Sequence, residues 1–169
     1  GFALLAAAGC ASTTSMSLPS VTAPASTPEA APYITASINV GAQPCAVEGG
    51  FGSIWVSVYG ANQELRIDPA THHVMARIPT KGGPCGIAVG GGSVWVEDFS
   101  GNSVTRINPE DNTATTVKVG SGPYDATYAD GAAWITNYND NSVSKVEAAS
   151  GTVSTIKVGS APTGVAPSA

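Results

Sequence analysis

The 169-residue sequence predicts an all-β chain built from β-propeller blades, and three observations carry that reading. Landmark residues recur at a step of about forty. Pro44, Pro84, Pro123 and Pro162 are separated by 40, 39 and 39 residues, and Trp55, Trp95 and Trp134 by 40 and 39. Spacing inside the unit is constant as well. Pro to Trp is always 11 residues, Trp to Asn62, Asn102 or Asn141 is 7, and Asn to Ile67, Ile107 or Val146 is 5. Finally, the apolar period is two rather than 3.6, with turn residues between the short apolar runs. These spacings define units at about 41–80, 81–119 and 120–158, with a partial unit at 159–169.

Each unit reads as four strands. In the third, YDATYA follows the Pro, AAWITNY follows Asp-Gly, NSVSKVE follows an Asn/Asp turn, and TVSTIKV follows Ser-Gly. Gly, Asn and Asp supply the positive-φ positions that tight hairpins need. A large ring on the second strand fills the wedge between neighbouring sheets, which gives the recurring Trp a packing role. The one-residue excess of the first unit falls between Ile67 and Ile78. Its placement in the polar stretch DPATHH predicts a surface turn there.

Upstream of the repeats the chain opens GFALLAAAGC, an apolar run ending in small residues before a cysteine. The stretch resembles the lipobox of bacterial lipoproteins, with Ala8 and Gly9 preceding Cys10. It departs from the family at Ala7, where Leu is usual. The resemblance implies that 1–10 is a truncated lipoprotein signal and that Cys10 is the lipidated residue of the mature protein. The alternative is an ordinary signal peptide containing a chance Cys. Residues 11–32 are mainly Ala, Ser, Thr and Pro with a single charge at Glu29, a composition that cannot bury enough apolar surface to offset ordering entropy. They read as a disordered linker, with the propeller repeats at 33–169.

Three blades do not close a ring, since propellers use about four to eight. Thr163 to Ala166 match the opening of a further first strand, so the sequence reads as a fragment of a larger ring, with residues 33–40 an outer strand able to close it. The runs WITNYNDNSVSKV (134–146), VSTIKVGSAPTGVA (153–166) and VGSGP (119–123) resemble the YVTN family of β-propeller repeats and the repeats of streptogramin lyase-like proteins. The tetrad stands as WITN at 134–137 and is loosened to WVED at 95–98 and WVSV at 55–58. The resemblance implies a ring of seven blades and says little of activity.

Only 11% of residues are charged, and seven Lys and Arg face twelve Asp and Glu. A net charge of −5 leaves no basic field to hold a nucleic-acid backbone. Beyond the first ten residues no apolar run approaches the roughly 20 residues of a membrane-spanning helix. Membrane contact is therefore expected through the lipid anchor alone.

Cys45 and Cys85 follow the repeat prolines and occupy equivalent places near the start of the innermost strand. A disulfide needs Cα atoms within about 7 Å, which neighbouring innermost strands are expected to reach only marginally, so small buried thiols are the favoured reading over a bridge. His72 and His73 sit together in a turn and point apart. No metal-ligand, nucleophile-elbow or phosphate-loop motif is present, and no cofactor is indicated. Glu97, Asp98, Asp125, Asn137 and Asp140 lie near strand ends that share one rim, which makes that rim the expected ligand face. The stretch NYNDNS, with Asn137, Asn139 and Asp140, echoes the alternating oxygen ligands of a calcium loop, but with one carboxylate and no Glu clamp an Asx-rich turn explains it more simply. Tyr59, Phe99 and Tyr138 recur in register, as packing residues first and ligand platforms second.

Two functions follow as expectations. One is a membrane-tethered, extracytoplasmic binding or scaffold module for a protein, peptide or small molecule, without catalytic residues in this segment. The other, implied by the resemblance, is a streptogramin lyase-like enzyme that eliminates a C–O bond with magnesium. Its His, Glu, His grouping would lie in blades outside this sequence.

Overall fold

The computed structural model describes residues 36–167. The expectations for the leader, Cys10 and the linker lie outside the described residues. Twelve strands follow in chain order. The first blade holds β1 (Pro44–Gly50), β2 (Ser53–Val58), β3 (Gln63–Ile67) and β4 (Val74–Pro79). The second holds β5 (Pro84–Gly90), β6 (Ser93–Asp98), β7 (Ser103–Ile107) and β8 (Ala114–Lys118). The third holds β9 (Pro123–Ala129), β10 (Ala132–Asn137), β11 (Ser142–Glu147) and β12 (Val153–Lys157). Each blade is a four-stranded antiparallel sheet in sequence order, and β1, β5 and β9 pack side by side.

Turn chemistry sets the meander. The first hairpin of each blade turns on two residues, Phe51-Gly52, Gly91-Gly92 and Asp130-Gly131, with φ of 51° and 68°, 60° and 69°, and 50° and 78°. Positive φ at both central positions matches the twist of the paired strands. Asn62, Asn102 and Asn141 close the second hairpins at φ of 50°, 52° and 51°. Their side chains also have a long-range role. Each Oδ1 accepts from a main-chain N–H leading into the following blade or strand: Gly83, Gly122 and Ala161, at 2.9, 3.0 and 2.9 Å. We therefore expect Asn102→Gly, which keeps the left-handed backbone but loses the latch, to cost about 1 kcal/mol in urea denaturation. Asn102→Ala should cost about 1 kcal/mol more, because it also strains the turn.

The core lies between blades. Trp55 is fully buried against Val94, Val96 and Ile107 of the second blade, and Trp95 against Ala133, Ile135 and Val146 of the third. Each Trp Nε1 donates to a main-chain oxygen at the end of the first strand, Gly50, Gly90 or Ala129, at 3.0, 3.2 and 3.2 Å. Arg66, Arg106 and Lys145 stack over the three rings at 5.3, 4.8 and 5.3 Å. The two arginines reach on to the next blade, Arg66 to Pro109 O and Asn112, and Arg106 to Ala148 O. Trp134 faces away from the second blade and is only half-buried.

Three expectations are corrected. The extra residue of the first blade is not in the DPATHH turn, since Ile67 pairs with Val74 as Ile107 pairs with Ala114. It is a bulge at Met75, because Arg66 pairs next with Ala76, and the bulged side chain is 57% exposed. The stretch expected as an outer strand over 33–40 is not a strand across its described residues 36–40. Ile38 and Val40 instead cover Val56, Val58, Leu65 and Ile67, the face of the first blade opposite Trp55. Lastly, Cys45 and Cys85 are neither free nor fully buried. They form a disulfide with Cα atoms 4.9 Å apart, closer than the expected spacing of innermost strands.

Candidate functional site

One rim of the blades collects the starts of β1, β5 and β9 and the ends of β2, β6 and β10. Pro44, Pro84 and Pro123 open the first strands there, and a register irregularity follows each proline. Beside this irregularity lies an open cavity of about 550 Å³, bordered by the Cys45–Cys85 bridge, Gly86, Tyr124, Asp125 and Thr163. Phe99 packs edge-on to Tyr124 at 6.2 Å, and Tyr138 lies tilted against Tyr124 at 6.0 Å. Tyr124 and Tyr138 are 43% and 39% exposed, so this trio presents aromatic surface rather than sealing a core.

The acidic and amide residues expected on this rim separate by environment. Asp125 alone borders the cavity, and its Oδ2 accepts from Val165 N at 3.1 Å. Asp140 is exposed and accepts from Ser121 N at 2.6 Å, which fastens the loop between blades. Asp98 is fully buried. It accepts from Thr105 Oγ1 at 2.7 Å, Ser103 Oγ at 3.1 Å and Lys81 N at 3.2 Å. Burial nevertheless lifts its carboxyl above the ordinary range. Asn137 is fully buried and donates to Ser142 Oγ at 3.0 Å and Ser144 Oγ at 2.9 Å. The expectation that Asp98 and Asn137 face a ligand is thus corrected: in adjacent blades they fill one structural position, closing the hairpin from inside.

Glu97 is also fully buried, and neither carboxylate oxygen has a hydrogen-bond partner. Burial pushes its carboxyl well above the usual range, with Asp125, Glu64 and Asp98 adding to the rise. Glu64 was not anticipated. Its Oε2 accepts from Ser57 Oγ at 2.8 Å while Oε1 has no partner, and burial raises the carboxyl to about 8. The sequence did carry a signal, because Glu64 stands where the other units have Val104 and Val143.

His72 and His73 form an exposed hairpin turn, with Asp68 N donating to His73 O at 3.0 Å and His72 at φ 62°. Asn112 and Gly151 take the same left-handed position in the other blades, at 62° and 71°. The pair belongs to the turn. Among the described residues no three or more His, Cys, Asp or Glu side chains converge as a metal cluster, and no helix is long and apolar enough to cross a membrane.

No protein-family model matches the chain, and no curated sequence does. Solved structures do. Hydrazine synthase of Kuenenia stuttgartiensis aligns at 15% identity and TM-score 0.67, over 76% of this chain and 40% of its own. Streptogramin B lyase aligns at 19% identity and TM-score 0.63, over 72% and 43%. The extracellular domain of BT4673 from B. thetaiotaomicron aligns at 18% identity and TM-score 0.59, over 71% and 17%. The chain therefore spans less than half the length of each of these. At such identities the likeness speaks for architecture alone. Together with three sequential four-stranded sheets joined by interblade tryptophans, it establishes that this chain has the β-propeller fold.

Proposed function

We propose that this chain belongs to an extracytoplasmic β-propeller, held at the membrane by a lipid on Cys10, that binds its ligand over the aromatic and acidic rim. The observation that carries the location is the Cys45–Cys85 bridge between blades, since such bonds persist in oxidising compartments and are rare in the cytosol. The rim supports the binding role: Tyr124 and Tyr138 offer rigid amphipathic surface, and Asp125 offers an acceptor beside an open cavity. The ligand would be a protein, peptide or small molecule with an apolar or aromatic group to lay on the tyrosines.

Anchoring is tested by feeding host cells an alkyne fatty acid. We expect label on the membrane-bound wild-type protein and none on Cys10→Ala, which should leave the membrane fraction. Unlabelled, soluble wild-type protein would overturn the tether.

A lyase is the second reading, favoured by the shared fold with streptogramin B lyase. It predicts that the full-length gene product with magnesium opens a cyclic peptide lactone, which chromatography detects as a ring-opened isomer. We expect the lactone to remain intact.

A further inference from the structure

We propose that the rim cavity takes a small quaternary ammonium ligand, seated against the rings of Tyr124 and Tyr138 beside the acidic wall that Glu48 contributes. The inference rests on the binding role of that rim and names the chemical class of its ligand. Tyr124 provides the first ground. Its ring departs from the repeat, since the equivalent places hold Cys45, Cys85 and Thr163. A blade of this fold therefore needs no aromatic there. Tyr59, Phe99 and Tyr138 recur in every unit, and packing accounts for them: the Tyr59 ring, for one, lies against Gly83. Tyr124 is the added ring, and it stands 43% exposed at the border of the cavity. Phe99 meets it at 77° and Tyr138 at 34°, so the exposed ring is braced on its neighbours and loses little freedom when a ligand arrives.

The second ground is charge. The charged side chains that border the cavity are Glu48 and Asp125, both acidic, and its border holds no Lys, Arg or His. Such a wall repels anions and draws cations, all the more at low salt. The open volume of about 550 Å³ is that of a small-molecule site.

The third ground selects the kind of cation. A metal ion needs several oxygen ligands, and a primary ammonium needs up to three acceptors. The cavity is poor in both, because Asp125 is already engaged by Val165 N at 3.1 Å and its neighbours are apolar. Val47, 66% exposed, and Ile87 line the wall beside Glu48. A quaternary ammonium has no N–H to satisfy. Its charge is spread over methyl groups, which pack on Val47 and Ile87 while aromatic faces attract the cation.

The test uses the purified full chain and saturation-transfer NMR, read on the ligand's own protons. Choline is the probe. Neohexanol is its neutral isostere, with carbon in place of the ammonium nitrogen, and ethanolamine is its primary-ammonium counterpart. We expect choline to bind with a Kd on the order of 1 mM, as its few non-hydrogen atoms allow. Neohexanol and ethanolamine should each bind roughly tenfold more weakly. Tyr124→Ala should weaken choline about tenfold, whereas Tyr124→Phe, which keeps the ring, should change it by less than about twofold. Both positions are exposed, and melting followed by circular dichroism checks the fold. Should Tyr124→Ala fail to fold, Tyr138→Ala and the three probes on the wild type still decide. Neohexanol binding as tightly as choline would overturn the charge assignment and leave the rim a binding surface. Ethanolamine binding as tightly would overturn the quaternary class, and no transfer to choline would overturn the assignment outright. Choline bound equally by wild type, Tyr124→Ala and Tyr138→Ala would place binding elsewhere and overturn the role of the rim as well.

Discussion

Reducing the Cys45–Cys85 bridge should lower the unfolding free energy by about 4 kcal/mol, as the loss of a cross-link that closes a 40-residue loop implies. In urea denaturation, dithiothreitol should move the wild-type midpoint down, while a Cys45→Ala/Cys85→Ala variant should start at the lower midpoint and ignore the reductant. Identical wild-type midpoints with and without reductant would show that the bridge contributes nothing. The size of the effect follows from position. The bridge joins the innermost strands of two blades at the rim, and Cys45 and neighbouring β1 residues are exposed there. A cross-link adds most where little packing otherwise holds two elements together. Tyr124 and Thr163 take the same place in the later units. The bridge is a device of the first two blades, and the tyrosine is free to serve the surface.

Much of the fold was legible because the propeller repeats its constraints. A ring of one size must fill the wedge between each pair of blades, and one residue must adopt a left-handed turn at each second hairpin. Trp95 and Asn102 are therefore readable from spacing alone. What sequence could not supply was distance across blades. The 4.9 Å approach of Cys45 to Cys85 depends on how tightly the innermost strands converge, and no local pattern encodes that. The rim residues failed for a related reason. Glu97 and Asp98 are adjacent on one strand, so they point to opposite faces and into different interblade spaces. Polarity had suggested a solvent face for both. The informative signs were departures from the repeat: Glu64 in a valine position, and Gly86 where neighbouring units carry side chains.

Those same departures predict an unusual pH response. Stability should fall as the pH rises from about 5 to 8, with Glu64 and Glu97 the principal causes. Below pH 4.5 the Glu64 carboxyl is protonated in folded and unfolded chains alike, so burial carries no ionisation penalty. Between 4.5 and about 8 the unfolded chain releases the proton while the folded chain retains it. Each pH unit in that window then favours unfolding by about 1.4 kcal/mol per such carboxyl. Above about 8 the folded group ionises too, and its contribution to the slope ends. Glu97 and Asp98, both raised by burial, act in the same direction. Asp68 and Asp111 act oppositely, the first held low by main-chain N–H bonds from Thr71 and Ala70, the second by Thr113. Their effect is confined to pH below the ordinary carboxylate range, outside this window. Urea midpoints measured at pH 5, 6, 7 and 8 should therefore decline in the wild type and decline less in Glu64→Gln, which keeps an acceptor for Ser57 without an ionisable group. A wild-type profile that rises over the same range would mean that Glu64 is ionised inside the fold. That result would require a buried positive partner, which the acidic surroundings of Glu64 and Glu97 do not provide.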